Sequence, residues 1–207
     1  MVKLNKLPRS FYLRPTLTVA KDLLGKYLVR TIRGKSLIGK IVEVEAYRGS
    51  HDPASHTYRG KTPRNEVMFR KGGHLYVYFT YGMHYCANVV TEGEDIGHAV
   101  LLRAVEPIQG IETMMKNRRF ARQSDGGQAA DTMDKRMLTN GPAKFCKAFG
   151  IARKQNGTDL LGSTIYIAKG EKISRTSIAS STRIGITTGV EKRWRFYLKG
   201  NTFVSKK

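Results

Sequence analysis

The 207-residue chain carries 37 Lys and Arg against 16 Asp and Glu, a formal net charge of +21 that exceeds what solubility requires. Its hydrophobic fraction of 40% is sufficient for a core and excludes a wholly disordered chain. The charge indicates a polyanionic partner, most simply nucleic acid; with no long basic amphipathic helix in the sequence, an anionic membrane is the weaker alternative.

The cysteine content and the lengths of the apolar runs indicate the cellular compartment in which the protein is expected. The two cysteines, Cys86 and Cys146, form no disulfide framework, which favours a reducing environment. No apolar run reaches transmembrane length, and the N-terminal residues lack the apolar stretch and cleavage site of a signal peptide. We therefore expect a soluble intracellular protein.

The first elements in chain order are a short helix and a β-hairpin. Thr16 or Thr18 is expected to cap the helix, which ends at Gly25. Residues 27–32 and 37–47 have the composition of strands and flank a polar turn, a pattern that predicts a hairpin.

The end of the second strand reads Ile-Val-Glu-Val-Glu-Ala-Tyr at residues 41–47. Because successive side chains of a strand point to opposite faces, one face is apolar and the other carries two carboxylates beside an aromatic ring. The apolar face consists of Val42, Val44 and Ala46, and the opposite face consists of Ile41, Glu43, Glu45 and Tyr47. Two interpretations stay open here: a solvated strand face, or a site built on the carboxylates and the ring.

Residues 48–65 form a polar stretch of a length that is often functional in compact domains. It contains His51 and His56, each of which is either a solvated loop residue or part of a site. It also contains the cationic residues Arg59, Lys61 and Arg64.

Two further strands are predicted at residues 75–80 and 84–91, with a tight turn between them. Alternation places Tyr76 and Tyr78 on the same face. The turn presents Tyr81 and Met83, which are either a wedge for opening base pairs or a tip folded back onto the core.

The rest of the chain predicts one more buried strand, two helices and three C-terminal strands. The buried strand, residues 99–105, contains Arg103, for which Glu45 or Glu43 is the natural partner. The helices are predicted at residues 109–119 and from Pro142 onward, and the strands at residues 164–168, 182–187 and 193–199, the last with its basic side chains outward. Residues 120–137 read as a polar connection. We expect one mixed α/β (α+β) domain over residues 1–207.

Several catalytic motifs are absent from the sequence, among them phosphate-binding and dinucleotide loops and the zinc patterns of proteases and deaminases. A metal nuclease using Glu43, Glu45 and Asp52 is a weakly supported alternative. The remaining set of carboxylate, tyrosines, internal arginine and basic surface suits an enzyme that takes a base out of duplex DNA. A carboxylate can activate water and stabilise the positive charge that develops on the sugar as an N-glycosidic bond breaks.

A series of short motifs resembles the alkyladenine DNA glycosylase family, also called 3-methyladenine or methylpurine DNA glycosylase. The match extends in order from Leu7 to Ser205. The motifs are Glu45-Ala46-Tyr47, His56, Thr62-Pro63-Arg64-Asn65, Leu75-Tyr76-Val77-Tyr78, Tyr81-Gly82-Met83, Asn88, Val100-Leu101-Leu102-Arg103, Arg183-Ile184-Gly185 and Arg195-Phe196-Tyr197-Leu198-Lys199-Gly200. The sequence departs from the family pattern at His84 and Tyr85.

The resemblance implies a curved antiparallel sheet with flanking helices and a protruding β-hairpin that inserts into DNA. It implies hydrolytic excision of 3-methyladenine, 7-methylguanine, hypoxanthine and ethenoadenine, leaving an abasic site. It further implies a monofunctional enzyme without a cofactor or metal, although the many lysines leave a lysine nucleophile open on composition. The expected partner is double-stranded DNA containing damaged purines, with no membrane, and the protein is expected to be a monomer.

The resemblance also implies roles for single residues. Glu45 is the expected general base, and it holds the attacking water together with Arg103 and the backbone carbonyl of Ile184. Base binding is assigned to Tyr47, His56, Tyr78 and Asn88, the tyrosines stacking on the base and Asn88 excluding normal guanine.

The DNA contacts expected outside the pocket come from the turn and the polar stretch. Tyr81 and Met83 are expected to intercalate, and Lys61 and Arg64 to contact the backbone. We expect a cytoplasmic, nucleoid-associated protein in a prokaryote or a nuclear one in a eukaryote. A basic nucleic-acid-binding protein without catalysis is the main alternative.

Overall fold

The computed structural model describes residues 4–118 and 135–205. Within these ranges the chain is a mixed α/β protein built on one curved, antiparallel sheet of nine strands. The strands are β1 (Tyr27–Ile32), β2 (Lys35–Arg48), β3 (His74–Thr80), β4 (His84–Thr91), β5 (His98–Gln109), β6 (Thr158–Asp159), β7 (Ile165–Ala168), β8 (Ile178–Ser181) and β9 (Arg195–Leu198). The α-helices are α1 (Arg9–Tyr12), α2 (Thr16–Leu23), α3 (Ile111–Asn117) and α4 (Pro142–Ala148). Short 3₁₀ turns lie at Gly49–His51, Glu66–Phe69, Lys135–Leu138, Arg153–Gln155 and Arg175–Ser177.

Strand β2 is the centre of the sheet. The strands follow the order β6-β3-β4-β5-β2-β1-β7, and β9 pairs with both β2 and β8. The first part of β2 pairs with β1, whereas residues 43–45 pair with β9 on one side and with β5 on the other. The two glutamates of β2 therefore lie where three strands meet, and both are fully buried. The interpretation of this face as a solvated surface is wrong.

An irregularity in β2 changes which residues share a face. The pairing of β2 with β5 shifts register between Ile41 and Glu43 and again between Glu43 and Val44, as at a β-bulge. Ile41 consequently lies in the main core with Val42 and Ala46. The prediction that Ile41 shares the glutamate face is wrong, because simple alternation does not account for a bulge.

The core lies between the sheet and the helices, much as the hydrophobic pattern predicts. Phe145 of α4, Phe149 directly after it and Met114 of α3 are fully buried, and Pro142 occupies the first turn of α4. The N-terminus of α2 differs from the prediction, because Pro15 is its cap residue and makes no side-chain cap. The Thr16 hydroxyl instead donates a hydrogen bond to a Glu92 carboxylate oxygen.

The predicted turns are well placed. β1 and β2 are joined by Arg33 and Gly34, both with positive φ (48° and 76°), the geometry that suits a two-residue hairpin turn. β3 pairs antiparallel with β4, and the last pair is Thr80 with His84.

Two predictions for the C-terminal third are wrong. Residues 182–187 form no strand, and the strand of this region, β8, lies just before them. In β9, Arg195 is buried and bound to Glu43 rather than directed outward, because a buried carboxylate is available across the strand pair. Most of the predicted polar connection at residues 120–137 lies outside the described residues. None of the helices in the described ranges has both the length and the apolar character to span a bilayer.

A buried ion pair connects the two segments that flank the end of β2. The guanidinium of Arg183 donates hydrogen bonds to both carboxylate oxygens of Asp52, and neither side chain is exposed. The same guanidinium donates to the carbonyl oxygens of Ala46 (3.0 Å) and Gly189 (3.2 Å). The backbone N–H of Ala54 in turn donates to Asp52. The polar segment after β2 is thereby fixed to the segment between β8 and β9.

We expect Arg183→Met to lower the free energy of unfolding by about 3–5 kcal/mol at neutral pH, because the Asp52 carboxylate is then buried without a counter-charge. Burial by itself would raise the pKa of Asp52, but the hydrogen bond and charge of Arg183 outweigh it and hold the pKa below the ordinary 3.8. The contribution of Asp52 to stability is therefore fully present above pH 3.8 and is lost as the pH falls through the lower folded value.

Urea unfolding of wild type, Arg183→Met and Asp52→Asn at pH 7, 5, 4 and 3 measures both effects. The difference in stability between wild type and Asp52→Asn should shrink over the acid end of this series. Asp95→Asn is the matched control, because Asp95 pairs with Lys61 at the surface and its loss should change little. A loss below about 1 kcal/mol for Arg183→Met at pH 7 would contradict the role of the pair.

Candidate active site

A cleft of about 560 Å³ opens beside the ends of β3 and β4, next to the polar segment and the segment after β8. Its walls combine aromatic, polar and small apolar side chains. The main lining residues are Tyr47, Ala54, His56, Arg64, Met68, Tyr76, Tyr78, Cys86, Asn88, Leu101, Arg103, Pro142 and residues 184–188. The volume is adequate for a purine base with part of its sugar and suits a small-molecule or nucleotide pocket.

Three rings form one wall of the cleft. Tyr76 and Tyr78 project from the same face of β3 and stack at 5.6 Å between ring centroids with an interplanar angle of 23°. His56 meets Tyr78 edge to face at 4.4 Å. Its Nδ1 lies 3.1 Å from the Tyr76 hydroxyl, with which it shares a hydrogen bond. The sequence placed Tyr76 and Tyr78 together by alternation, but the site prediction omitted Tyr76.

The ionisation of this wall favours neutral rings at physiological pH. Burial raises the pKa of Tyr76 to about 12 and raises that of Tyr78 further. The pKa of His56 is lowered, mainly by burial against the rings and to a lesser extent by the nearby Arg64 cation. One side of the imidazole nevertheless reaches solvent. The wall therefore presents aromatic faces without a charge of its own, which suits stacking on a base.

Tyr47 follows the glutamates on β2 and lines the same cleft. Its hydroxyl donates a 2.8 Å hydrogen bond to Glu45 Oε2. The guanidinium of Arg183 lies over its ring, 4.6 Å from the centroid. Burial and the Glu45 charge raise its pKa, so that the hydroxyl remains a hydrogen-bond donor. The Asp52–Arg183 pair thus also fixes the position of this ring.

Glu45 lies directly behind these lining residues and has no exposed surface. Its Oε1 accepts a 2.8 Å hydrogen bond from the backbone N–H of Ile184 and lies 3.2 Å from Arg103 Nη1. Its Oε2 accepts from Tyr47, as described. The carboxylate is therefore fixed at both oxygens by groups of Ile184, Arg103 and Tyr47, residues that themselves line the cleft.

Arg103 joins the predicted catalytic residues into one group. Its Nη1 contacts Glu45 and also donates to the carbonyl oxygen of Ile184 at 3.5 Å. Its Nε lies 3.3 Å from Glu43 Oε1. The prediction that a carboxylate of β2 pairs with Arg103 is confirmed, with both glutamates as partners.

Asn88 and Cys86 occupy the part of the cleft on β4. Asn88 is buried, and its Nδ2 donates to the Tyr76 carbonyl at 3.4 Å. Burial raises the pKa of the Cys86 thiol, which therefore stays neutral beside Tyr78. Cys86 was not predicted as a site residue; the alternation that places Asn88 beside the site places Cys86 there as well.

The predicted DNA contacts differ in their relation to the cleft. Tyr81 and Met83 are 81% and 69% exposed, so the alternative in which the turn folds back onto the core is wrong. Arg64 lines the cleft and donates to the Phe79 carbonyl at 3.5 Å. Lys61 is a surface residue next to Asp95 and lies outside the cleft lining.

The carboxylates considered for a metal nuclease do not form a metal-binding cluster. Each of Glu43, Glu45 and Asp52 pairs with an arginine. The residues that the structure describes contain no group of three or more His, Cys, Asp or Glu side chains with the geometry to hold a metal ion. The donor set of the site therefore gives the nuclease alternative no support.

Comparison with known proteins extends these observations. The family model described as methylpurine-DNA glycosylase matches residues 10–202. A protein of Carboxydothermus hydrogenoformans is 54% identical over 97% of this chain and 99% of its own length. A protein of Clostridium acetobutylicum is 48% identical over 97% of each chain, and one of Prosthecochloris aestuarii is 44% identical over 98% of this chain and 92% of its own. All three bear the name "Putative 3-methyladenine DNA glycosylase". The chain therefore belongs to the methylpurine-DNA glycosylase family.

Proposed function

We propose that this protein removes alkylated or deaminated purines from duplex DNA by hydrolysing the N-glycosidic bond. The substrates would be 3-methyladenine, 7-methylguanine, hypoxanthine and ethenoadenine, and the product an abasic site. The observation that carries the proposal is the fixed carboxylate of Glu45 behind an aromatic cleft, held by Arg103 and the Ile184 backbone. Family membership supports the same reaction.

The cleft provides the means to hold a flipped base. Tyr47 and Tyr78 line it with neutral rings, and stacking on an aromatic side chain is worth about 1–3 kcal/mol per base. His56 packs against Tyr78 and would close the pocket. Asn88, buried and fixed to β3, would crowd the exocyclic amine of normal guanine.

In the proposed reaction a water molecule attacks the C1′ carbon of the damaged nucleotide as the bond to the purine nitrogen breaks. Glu45 accepts the proton of the water and stabilises the positive charge on the sugar. Arg103 and the Ile184 carbonyl would orient the water, since Arg103 contacts the Glu45 carboxylate, the carbonyl accepts from Arg103, and both residues line the cleft. The Tyr47 hydroxyl is hydrogen-bonded to Oε2 in the structure. It must move away from Oε2 when the water is bound, so that this oxygen can accept the proton.

Leaving-group chemistry would complete the selectivity. A cationic purine such as 7-methylguanine leaves readily, whereas neutral adenine is a poor leaving group. Hypoxanthine is neutral, and its departure would need a hydrogen bond at its N7. Flipping adds discrimination, because damaged or mismatched bases are less costly to unstack.

The surroundings of the cleft suit duplex DNA. The exposed side chain of Tyr81, with Met83 beside it, would fill the gap left by the flipped nucleotide. Arg64 at the cleft and Lys61 beyond it would contact phosphates, in keeping with the net charge of +21.

Monofunctional hydrolysis is the version of the reaction that we propose. A lysine nucleophile would have to reach the sugar carbon, and the lining contributed by the described residues includes no lysine. A borohydride trap on substrate should accordingly give no covalent protein–DNA adduct.

We expect Glu45→Gln to slow base release from a duplex with a single hypoxanthine by about 10²- to 10⁴-fold, because the amide cannot accept the proton of the water. Single-turnover rates, with the abasic product cleaved by alkali, measure the effect. Duplex affinity should stay within about threefold of wild type, since the side chain is buried and the substitution is isosteric.

Glu94→Gln is the matched control, the same substitution at an exposed position, and should leave the rate unchanged. Undiminished release by Glu45→Gln would remove Glu45 from the mechanism. Tight duplex binding by the wild type without release from any of the four lesions would favour the non-catalytic DNA-binding protein instead.

Tyr47→Phe separates the two contributions of Tyr47, because it keeps the ring and removes the donor to Glu45. We expect the DNA concentration that gives half-saturation of the enzyme to change little. At saturating DNA the acid limb of the single-turnover rate should keep its wild-type midpoint, because in the proposed reaction the hydroxyl has already left Oε2 when the water is bound. A pH–rate profile from pH 4.5 to 8.5 tests this, and a displaced midpoint would mean that the bond to Glu45 persists in the reacting complex.

A further inference from the structure

The buried side chains behind the cleft form an alternating row of charges. The row runs from Glu45 to Arg103, then to Glu43 and finally to Arg195. The two carboxylates are fully buried, and the two arginine side chains are less than a tenth exposed. Neither Glu43 nor Arg195 lines the cleft. Glu45 and Arg103, which lie nearer the cleft, belong to the proposed catalytic group. Glu43 and Arg195 have no part in the water activation proposed above.

Glu43 accepts hydrogen bonds at both of its carboxylate oxygens. Its Oε1 accepts from Arg195 Nε at 2.7 Å and from the Ser205 hydroxyl at 2.9 Å. Its Oε2 accepts from the Ser205 backbone N–H at 2.7 Å. The carboxylate is thus fixed by β9 and by the segment that follows it, and it contacts Arg103 from a defined direction.

The contact with Arg103 is an ion pair without an aligned hydrogen bond. Arg103 Nε lies 3.3 Å from Glu43 Oε1, but the geometry leaves this N–H without a hydrogen-bond partner. Arg103 Nη2 lies 3.5 Å from the Ser205 hydroxyl. Glu43 and Ser205 therefore draw one edge of the guanidinium away from Glu45, while Nη1 remains at Glu45.

This division matters because an arginine facing a single carboxylate tends to bind both of its oxygens. A bidentate Arg103–Glu45 pair would occupy the oxygen that the proposed mechanism needs for the proton of the water. In the observed arrangement Arg103 contacts Oε1, and Oε2 is left to the Tyr47 hydroxyl, which can rotate away.

We propose that Glu43 is a positioning residue for the glycosylase reaction: it divides the Arg103 guanidinium between two carboxylates and keeps one oxygen of Glu45 able to accept a proton. The inference rests on the proposed function. It adds that the negative charge of Glu43, and not merely its volume, keeps the Arg103 guanidinium divided between the two carboxylates.

The groups that act electrostatically on Glu45 come from each element packed against it. They are Glu43 and Tyr47 on β2, Tyr78 on β3, Cys86 on β4, Arg103 on β5, Arg183 in the segment between β8 and β9, and Arg195 on β9. The tyrosines and the cysteine stay neutral across the pH range of an activity assay, because burial raises the pKa of each. If substitution of Glu43 changes the acid limb of the pH–rate profile, the change therefore reflects the balance of charge between the two carboxylates and the three arginines.

The test is the pH–rate profile of hypoxanthine release under single-turnover conditions for wild type and Glu43→Gln. Gln keeps the size and the acceptor oxygen but removes a negative charge two residues from Glu45, about 7 Å along the strand. We expect the midpoint of the acid limb to move to lower pH by about one unit, because the site loses one negative charge and keeps its arginines. The plateau rate should fall roughly 10- to 100-fold as Arg103 turns toward Glu45.

Three further variants separate positioning from stability. Glu43→Asp keeps the charge and should retain the wild-type midpoint, and it remains informative should the Gln variant not fold. Ser205→Ala removes the neutral hydroxyl that donates to Glu43 and contacts Arg103, and it should lower the rate without moving the midpoint. Glu92→Gln removes a partly buried carboxylate that binds Thr16 and His98 outside the cleft, and it should lower stability while leaving the profile unchanged.

The outcomes are distinct. A midpoint that moves in Glu43→Gln and not in Glu43→Asp or Glu92→Gln supports the positioning role. An unmoved midpoint in a folded Glu43→Gln enzyme, or a Glu43→Asp profile displaced as far as that of Glu43→Gln, overturns the positioning role while the glycosylase function stands. A wild-type enzyme that releases no base from any lesion overturns both.

Discussion

The ion pair between Arg103 and Glu45 is the interaction on which the site depends. A carboxylate without exposed surface is strongly destabilising unless it is paired and hydrogen-bonded. Arg103 provides the charge, and the Ile184 N–H and the Tyr47 hydroxyl provide the hydrogen bonds. Each of these groups also lines the cleft, so the side chains that make the burial of Glu45 tolerable are those that would meet a substrate. Stability and the proposed chemistry draw on the same contacts.

The architecture explains how segments far apart in the chain reach one site. β2 carries the glutamates between β5, which supplies Arg103, and β9, which supplies Arg195. The walls of the cleft, however, come largely from irregular segments, which a sheet does not fix by itself. The Asp52–Arg183 pair provides that constraint, because it connects the segment that bears His56 to the segment that bears Ile184 and packs against Tyr47. The cleft is thus held by one buried pair at its side and another at its base.

Much of this arrangement could be predicted from local pattern. Alternation in β3 correctly placed Tyr76 and Tyr78 on one face, and an arginine within a buried strand correctly indicated a carboxylate partner. The bulge near Glu43 could not be predicted, because it depends on pairing with β5 over a long sequence separation. For the same reason Arg195 was misplaced: its inward orientation depends on Glu43, which lies 152 residues away. Residues 182–187 have strand-like composition, but they form a loop in which Arg183 is buried against Asp52, a partner far away in the sequence.

The hydrogen bond from Tyr47 to Glu45 is relevant to the selectivity of the proposed reaction. A general base with a permanently open oxygen could activate water whether or not a damaged base were bound. Here the oxygen that must accept the proton is bonded to Tyr47, whose ring is also a surface on which the base would stack. In the proposed reaction, entry of a base and release of that oxygen would therefore be linked through one side chain. In the proposed reaction, water activation would follow occupancy of the cleft, so that the chemical step and recognition of the lesion depend on the same movement of Tyr47.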